Sequence, residues 1–159
     1  MRRFGRRTLH RDERGASLVE FALVLPLLVV LLFGIIEASW AFAQQNDVRH
    51  GAREGARLAT VDFGDVATIG QEVCDRMDVV YPSETPTVTL TPILPGTGGL
   101  GDTAQITVSS SPDSLTGVID AVFGGLTMSS TIEFRLEQPT DGTAAQWWAG
   151  GAGGTFTCP

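Results

Sequence analysis

Few residues in this chain are able to do chemistry, and most of them lack partners. His10 and His50 are the two imidazoles. His10 falls in a basic N-terminal stretch and His50 on a charged helix face, so neither is expected to join a metal or catalytic site. Ser109-Ser110-Ser111 has no His or Lys placed to activate a hydroxyl. Gly96-Thr97-Gly98-Gly99-Leu100-Gly101 satisfies G-x-G-x-x-G, but the segment after it reads as a strand. No helix N-terminus follows to receive a phosphate, and a hairpin loop is the expectation. The chain contains no Lys, which excludes a Walker-type loop. No enzymatic activity, cofactor, metal or small-molecule substrate is therefore expected. What remains is a single carboxylate in the wrong surroundings: Glu20, inside an apolar run.

That run supplies the element that must position Glu20. From Phe21 to Ile36 every residue is apolar, counting Pro26 and Gly34, and Leu18 and Val19 extend it. A helix from Leu18 to Ile36 is about 28 Å long, close to the hydrocarbon thickness of a bilayer. A carboxylate in a spanning helix costs roughly 2.5–3.5 kcal/mol on insertion scales. Glu20 is either hydrated near the membrane edge or meets a cation. Six Arg precede the run (Arg2, Arg3, Arg6, Arg7, Arg11 and Arg14). They place the N-terminus in the cytoplasm and the remainder outside it, as a single-pass cell-membrane protein. From Ala16 onward five Arg face sixteen Asp and Glu, so a nucleic-acid partner is not expected. Cys74 and Cys158 both fall on the exported side. There a disulfide between them is permitted, and two free thiols are the alternative.

The chain reads as α+β. One helix is expected from about Ala16 to Thr60, with a kink possible at Pro26. Trp40 and Phe42 lie where an interfacial aromatic belt would be. Beyond them Gly51, Ala52, Gly55 and Ala56 recur at helical spacing and make a narrow face that another helix can approach closely. Arg49, Arg53 and Arg57 form a separate charged row. A second helix is marked by Val66, Ile69, Val73 and Met77, capped by Asp62 or Asp65 and ended by Pro82. Alternation then predicts a small antiparallel sheet of about three strands, near 87–91, 104–108 and 126–137. A short apolar segment at helical spacing, 115–123, lies between the last two. The Gly-rich tail with Trp147-Trp148 reads as flexible, unless the cysteines anchor it. The organisation expected is a basic leader (1–15), a transmembrane and amphipathic helix (16–60), an extracytoplasmic head (61–139) and the tail (140–159).

Gly15 followed by Ala16-Ser17-Leu18-Val19 and then Glu20-Phe21 resembles the type IV prepilin signal: a basic leader ending in Gly, a carboxylate five residues beyond the cut, then an apolar span. Glu followed by an aromatic residue resembles the Flp-type, or type IVb, version. Gly51-Ala52-Arg53-Glu54-Gly55-Ala56-Arg57 resembles the corresponding region of TadE-like pseudopilins, minor pilins of the tight-adherence (Tad) pilus system. The resemblance covers residues 14–60. It implies cleavage between Gly15 and Ala16 by a membrane prepilin peptidase. It also implies pairing of the new α-amino group with Glu20, within or between subunits, and a role in Flp/Tad pilus assembly beside other Tad pilins and pilus assembly proteins. The Glu20-Phe21 pair is then an assembly contact. Two other readings stand beside it. One is an uncleaved single-pass protein whose acidic head binds a partner at the cell surface. The other is a secretory signal peptide cut after Ala41-Phe42-Ala43, a reading that Glu20, Glu37 and the uninterrupted helical pattern oppose.

Overall fold

The computed structural model describes residues 13–61, 65–77, 85–93, 100–117, 126–137 and 153–159. The chain divides into two compact units, Met1–Ile36 and Glu37–Pro159. Helix α1, Glu13–Thr60, contributes to both and contains Pro26. Its sequence is rich in Leu and Ala, both good helix formers, and no Pro or Gly interrupts it between Glu37 and His50. At its end Val61 N–H turns back to Leu58 O at 3.3 Å.

In the second unit, helix α2 is Val66–Asp75. Asp65 caps it, accepting from Thr68 N and Thr68 Oγ1, both at 2.8 Å. These donors hold the Asp65 carboxyl below its ordinary range. The cap satisfies a backbone donor that the helix leaves without an internal partner. Ile69, Gly70, Val73 and Cys74 form the buried face. The helix closes well before Pro82, because Arg76 N donates to Val73 O and Met77 N to Cys74 O. That tightening points Met77 into the core, where it is buried.

The sheet has four strands rather than the expected three: β1 Thr87–Pro92, β2 Thr103–Ser110, β3 Met128–Arg135 and β4 Gly154–Thr157. Their order is β3-β2-β1-β4, and every pair is antiparallel. The fourth strand comes from the end of the Gly-rich stretch read as flexible. Only residues 153–159 of that stretch are described, and Trp147-Trp148 lies outside them. The segment 115–123 is described at 115–117, where it is a bend and not a helix.

Alternation places one apolar set inward. Val88, Leu90, Ala104, Ile106 and Val108 are fully buried, with Ile132 and Phe134 beside them. They join Val48, Ala52, Ala56, Leu58 and Ala59 of α1 and Ile69, Val73, Cys74 and Met77 of α2 in one core. Much of the outward set is hydroxylic, with Gln105, Glu133 and Arg135 at the other end of the sheet. Thr157, Thr87, Ser109 and Ser129 are cross-strand neighbours in one row, and Thr155, Thr89, Thr107 and Thr131 in the next. Hydroxyl pairs close at 2.7 Å (Thr87–Ser109), 3.2 Å (Thr89–Thr155) and 2.9 Å (Thr107–Thr131).

Candidate functional site

The candidate site lies along α1 and changes character at one residue. From Gly15 to Ile36 every side chain is exposed. The exposed set includes Phe21 at 64% and Leu27 at 71%. This stretch is apolar enough to cross a membrane by length and composition. An apolar surface of that extent has no stable place in water. Gly15, Ala16 and Glu20 all lie on this exposed helix. A side chain built at Gly15 or at Gly34 would meet nothing within 4 Å. Ala16 and Glu20 are four residues apart and so share one face, one turn from each other.

At Glu37 burial begins; this residue is 5% exposed. Its carboxylate accepts from Ser114 Oγ, from Leu115 N at 3.1 Å and from Thr116 Oγ1 at 3.0 Å. Ser114 foremost, with Thr116 and Leu115, holds the Glu37 carboxyl below its ordinary value. Two turns on, the Gln44 amide donates to Asp113 O at 2.7 Å and accepts from Asp113 N at 2.8 Å. The loop at 111–117 is thus latched to α1 at two levels. Trp40, between them, is half-buried, and its Nε1 is buried without a hydrogen-bond partner among the described residues. Phe42 remains 72% exposed. Of the two aromatic residues assigned to an interfacial belt, one therefore turns inward and one stays outside.

Further along, Gly51, Ala52, Gly55 and Ala56 are buried by the chain's own head. A side chain at Gly51 would lie 2.8 Å from Met77 Sδ. One at Gly55 would lie 2.4 Å from Ile106 Cδ1 and 2.8 Å from Val73 Cγ2. The small face lies against Val73 and Met77 at the end of α2 and against Ile106 of β2. Beside it Glu54 binds Arg57 at 2.7 Å and reaches Arg76 of α2 at 3.5 Å, while Arg76 also binds Glu72 at 2.8 Å. Arg57 first, then Arg76, hold the Glu54 carboxyl below its ordinary value. Arg49 and Arg53 are exposed.

Cys74 and Cys158 form a disulfide with a Cα–Cα distance of 5.8 Å. It ties the end of β4 to α2, and Cys158 N adds a bond to Pro86 O at 2.9 Å. Gly153 precedes β4 with φ +68, and a side chain there would strike Leu90 O at 2.2 Å. Only glycine fits that backbone and that approach. His50 is exposed, and Ser109 and Ser110 are engaged with Thr87 and with Ser111 O. Among the described residues no group of three His, Cys, Asp or Glu is placed to hold a metal. His10 lies outside the described residues.

Sequence reasoning passed over Glu37 and Gln44. Glu37 carried one readable signal, a carboxylate immediately after the last apolar residue. Its partners lie 77 to 79 positions away, beyond any local pattern.

No curated protein and no solved structure matches the chain. Residues 15–57 match the family model described as TadE-like protein. The matched stretch opens at Gly15, contains Glu20 and the whole exposed apolar segment, and closes at Arg57, one residue past the buried Gly-Ala face. Over this helix the chain is similar to TadE-like proteins.

Proposed function

We propose that the chain is a minor pilin, or pseudopilin, of a Flp/Tad pilus assembly system, processed between Gly15 and Ala16 by a prepilin peptidase. One observation carries the reading: the family-matched helix holds a fully exposed apolar stretch with a single acidic residue, Glu20, near its start. The Gly15–Ala16 bond lies within the first turn of α1. The amides there have no intrahelical acceptor, so that turn unwinds easily into the extended form a protease needs. Cleavage puts a cationic α-amino group at a helix N-terminus, where the helix dipole opposes it. Glu20, one turn along the same face, offsets that charge within the chain or across to a neighbouring subunit. In the bilayer the pairing relieves two desolvation penalties at once.

On this reading the N-terminus faces the cytoplasm, the apolar segment anchors the chain in the cell membrane, and the head is extracytoplasmic. Its partners are the peptidase, other Tad pilins and pilus assembly proteins. N-terminal sequencing of the membrane-extracted protein tests the proposal. A start at Ala16 is expected. An intact Met1 returns the chain to an uncleaved, membrane-anchored binding protein, and a start at Gln44 makes it a secreted one.

A further inference from the structure

We propose that the outer edge of β3 and the flank of α1 beside it form a groove that takes an extended acidic segment of another polypeptide as a fifth strand. The groove lies wholly within the second unit and does not depend on cleavage or membrane anchoring. β3 closes the sheet on one side, and at eight residues it is the longer outer strand, since β4 has four. Just past its end Leu136 N donates to Asp102 O at 2.9 Å, and Leu136 O accepts from Gly101 N at 2.8 Å. Both bonds point toward β2. Successive residues of an antiparallel strand turn their backbone groups to opposite sides. Residues 129, 131, 133, 135 and 137 therefore aim N–H and C=O away from β2. Two contacts agree: Glu137 N donates to Thr60 O at 2.9 Å, and Ser129 O accepts from Gln45 Nε2 at 3.4 Å. Helix α1 thus meets the edge at both ends. Between them, at Thr131, Glu133 and Arg135, no described residue bonds to the edge.

An open edge is a template for strand addition, in which backbone bonds give affinity and flanking side chains select the partner. Here the flank is cationic. Gln45, Arg49, Arg53 and Thr60 share one side of α1 by helical spacing. Since Gln45 and Thr60 reach β3, Arg49 and Arg53 stand between those contacts. Both are exposed, and neither forms an ion pair with a described residue. From Glu37 onward five Arg face fifteen Asp and Glu, so two unpaired cations beside an open edge run against the charge of the unit. The spacing also fits. Arg49 and Arg53 are about 6 Å apart along the helix, and alternate residues of a strand are about 6.6 Å apart. An added strand would turn every second side chain toward the layer of α1, where Asp or Glu meets these two guanidinium groups.

Amide exchange followed by NMR on the full chain in detergent micelles, with the disulfide intact, tests this. The probe is a capped peptide of about nine residues alternating Glu and Thr. A Lys-Thr peptide and a Glu-Thr peptide interrupted by proline, which cannot continue a strand, are the controls. The amides of Thr131, Glu133 and Arg135 should exchange quickly in the free chain and roughly tenfold more slowly with the Glu-Thr peptide. Neither control should slow them. Arg49→Gln combined with Arg53→Gln should weaken the peptide about tenfold and leave the buried Leu90 amide as protected as before. No slowing by the Glu-Thr peptide at millimolar concentration overturns the groove. Equal slowing by the Lys-Thr peptide, or full binding to the double variant, overturns its acidic selectivity. Slow exchange before any peptide is added also overturns it. The edge is then already occupied, by a second copy if dilution removes the protection and by the chain itself if it does not.

Discussion

The two halves of α1 obey opposite rules. Between Gly15 and Ile36 all side chains are exposed and nearly all are apolar. Between Glu37 and Thr60 one stripe is buried, and it is built from Gly, Ala, Val, one Leu and two polar residues. In most soluble helices hydrophobicity and burial rise together. Here the more apolar half is the uncovered one. The less apolar half is covered from within. Small residues suffice there because close approach, rather than side-chain bulk, brings α2 and β2 into contact with it. The contrast divides the family-matched stretch in two: its first part is apolar and uncovered, and its second part packs into the head.

The largest expected effect is confined to the second unit. Cys158→Ser removes a cross-link between residues 84 apart. A chain-entropy account puts the loss at about 4–5 kcal/mol. Urea unfolding of the head should show it, with faster amide exchange at Thr155 and Thr157. If exchange in β4 is unchanged, the disulfide is not what holds that strand.

A paired substitution along α1 tests the contrast directly. Gly55→Leu forces a side chain into Ile106 and Val73, and overpacking of this kind costs about 3 kcal/mol. Gly34→Leu enters open space and should move head stability by less than about 0.5 kcal/mol. Equal effects in thermal melts would erase the distinction between the two halves.

The smallest effect concerns the junction. The folded-state pKa of Glu37 lies below its ordinary 4.5. The ionised form is therefore the one its three donors stabilise. That contribution is fully present above pH 4.5 and is lost as pH falls through the folded-state value. The stability gap between wild type and Glu37→Gln should accordingly be constant near neutrality and shrink in acid. A gap that widens in acid would reverse the assigned charge state.

Much of this was readable beforehand, because helical and strand periodicities are local. The end of α1 at Thr60, Asp65 as one of two candidate caps, the apolar face of α2 and the alternation in β1, β2 and β3 all follow from neighbours within a few residues. The Gly51–Ala56 face was legible as a packing surface, but its partners were not: nothing at 51–56 distinguishes Ile106 from another subunit. Strand β4 escaped because Gly154-Thr155-Phe156-Thr157 is short and follows a Gly-rich stretch. Its pairing is decided by Val88 and Leu90, far away in sequence. The latch on Glu37 escaped for the same reason. At Gly15, Ala16, Glu20 and Phe21 the motif stated more than the fold adds, since those residues touch so little of their own chain.

The placement of β4 has a consequence for the timing of folding. Strands β1, β2 and β3 follow one another and can zip as neighbours, each pairing with the one before. Strand β4 instead crosses to the far edge, next to β1, some 66 positions after the residue it pairs with at Thr89. Closing so long a loop is slow relative to forming local hairpins. Until it closes, the outer edge of β1 presents unpaired amides and carbonyls to any strand nearby. The Cys74–Cys158 bridge fixes the end of β4 to α2 once that strand has paired.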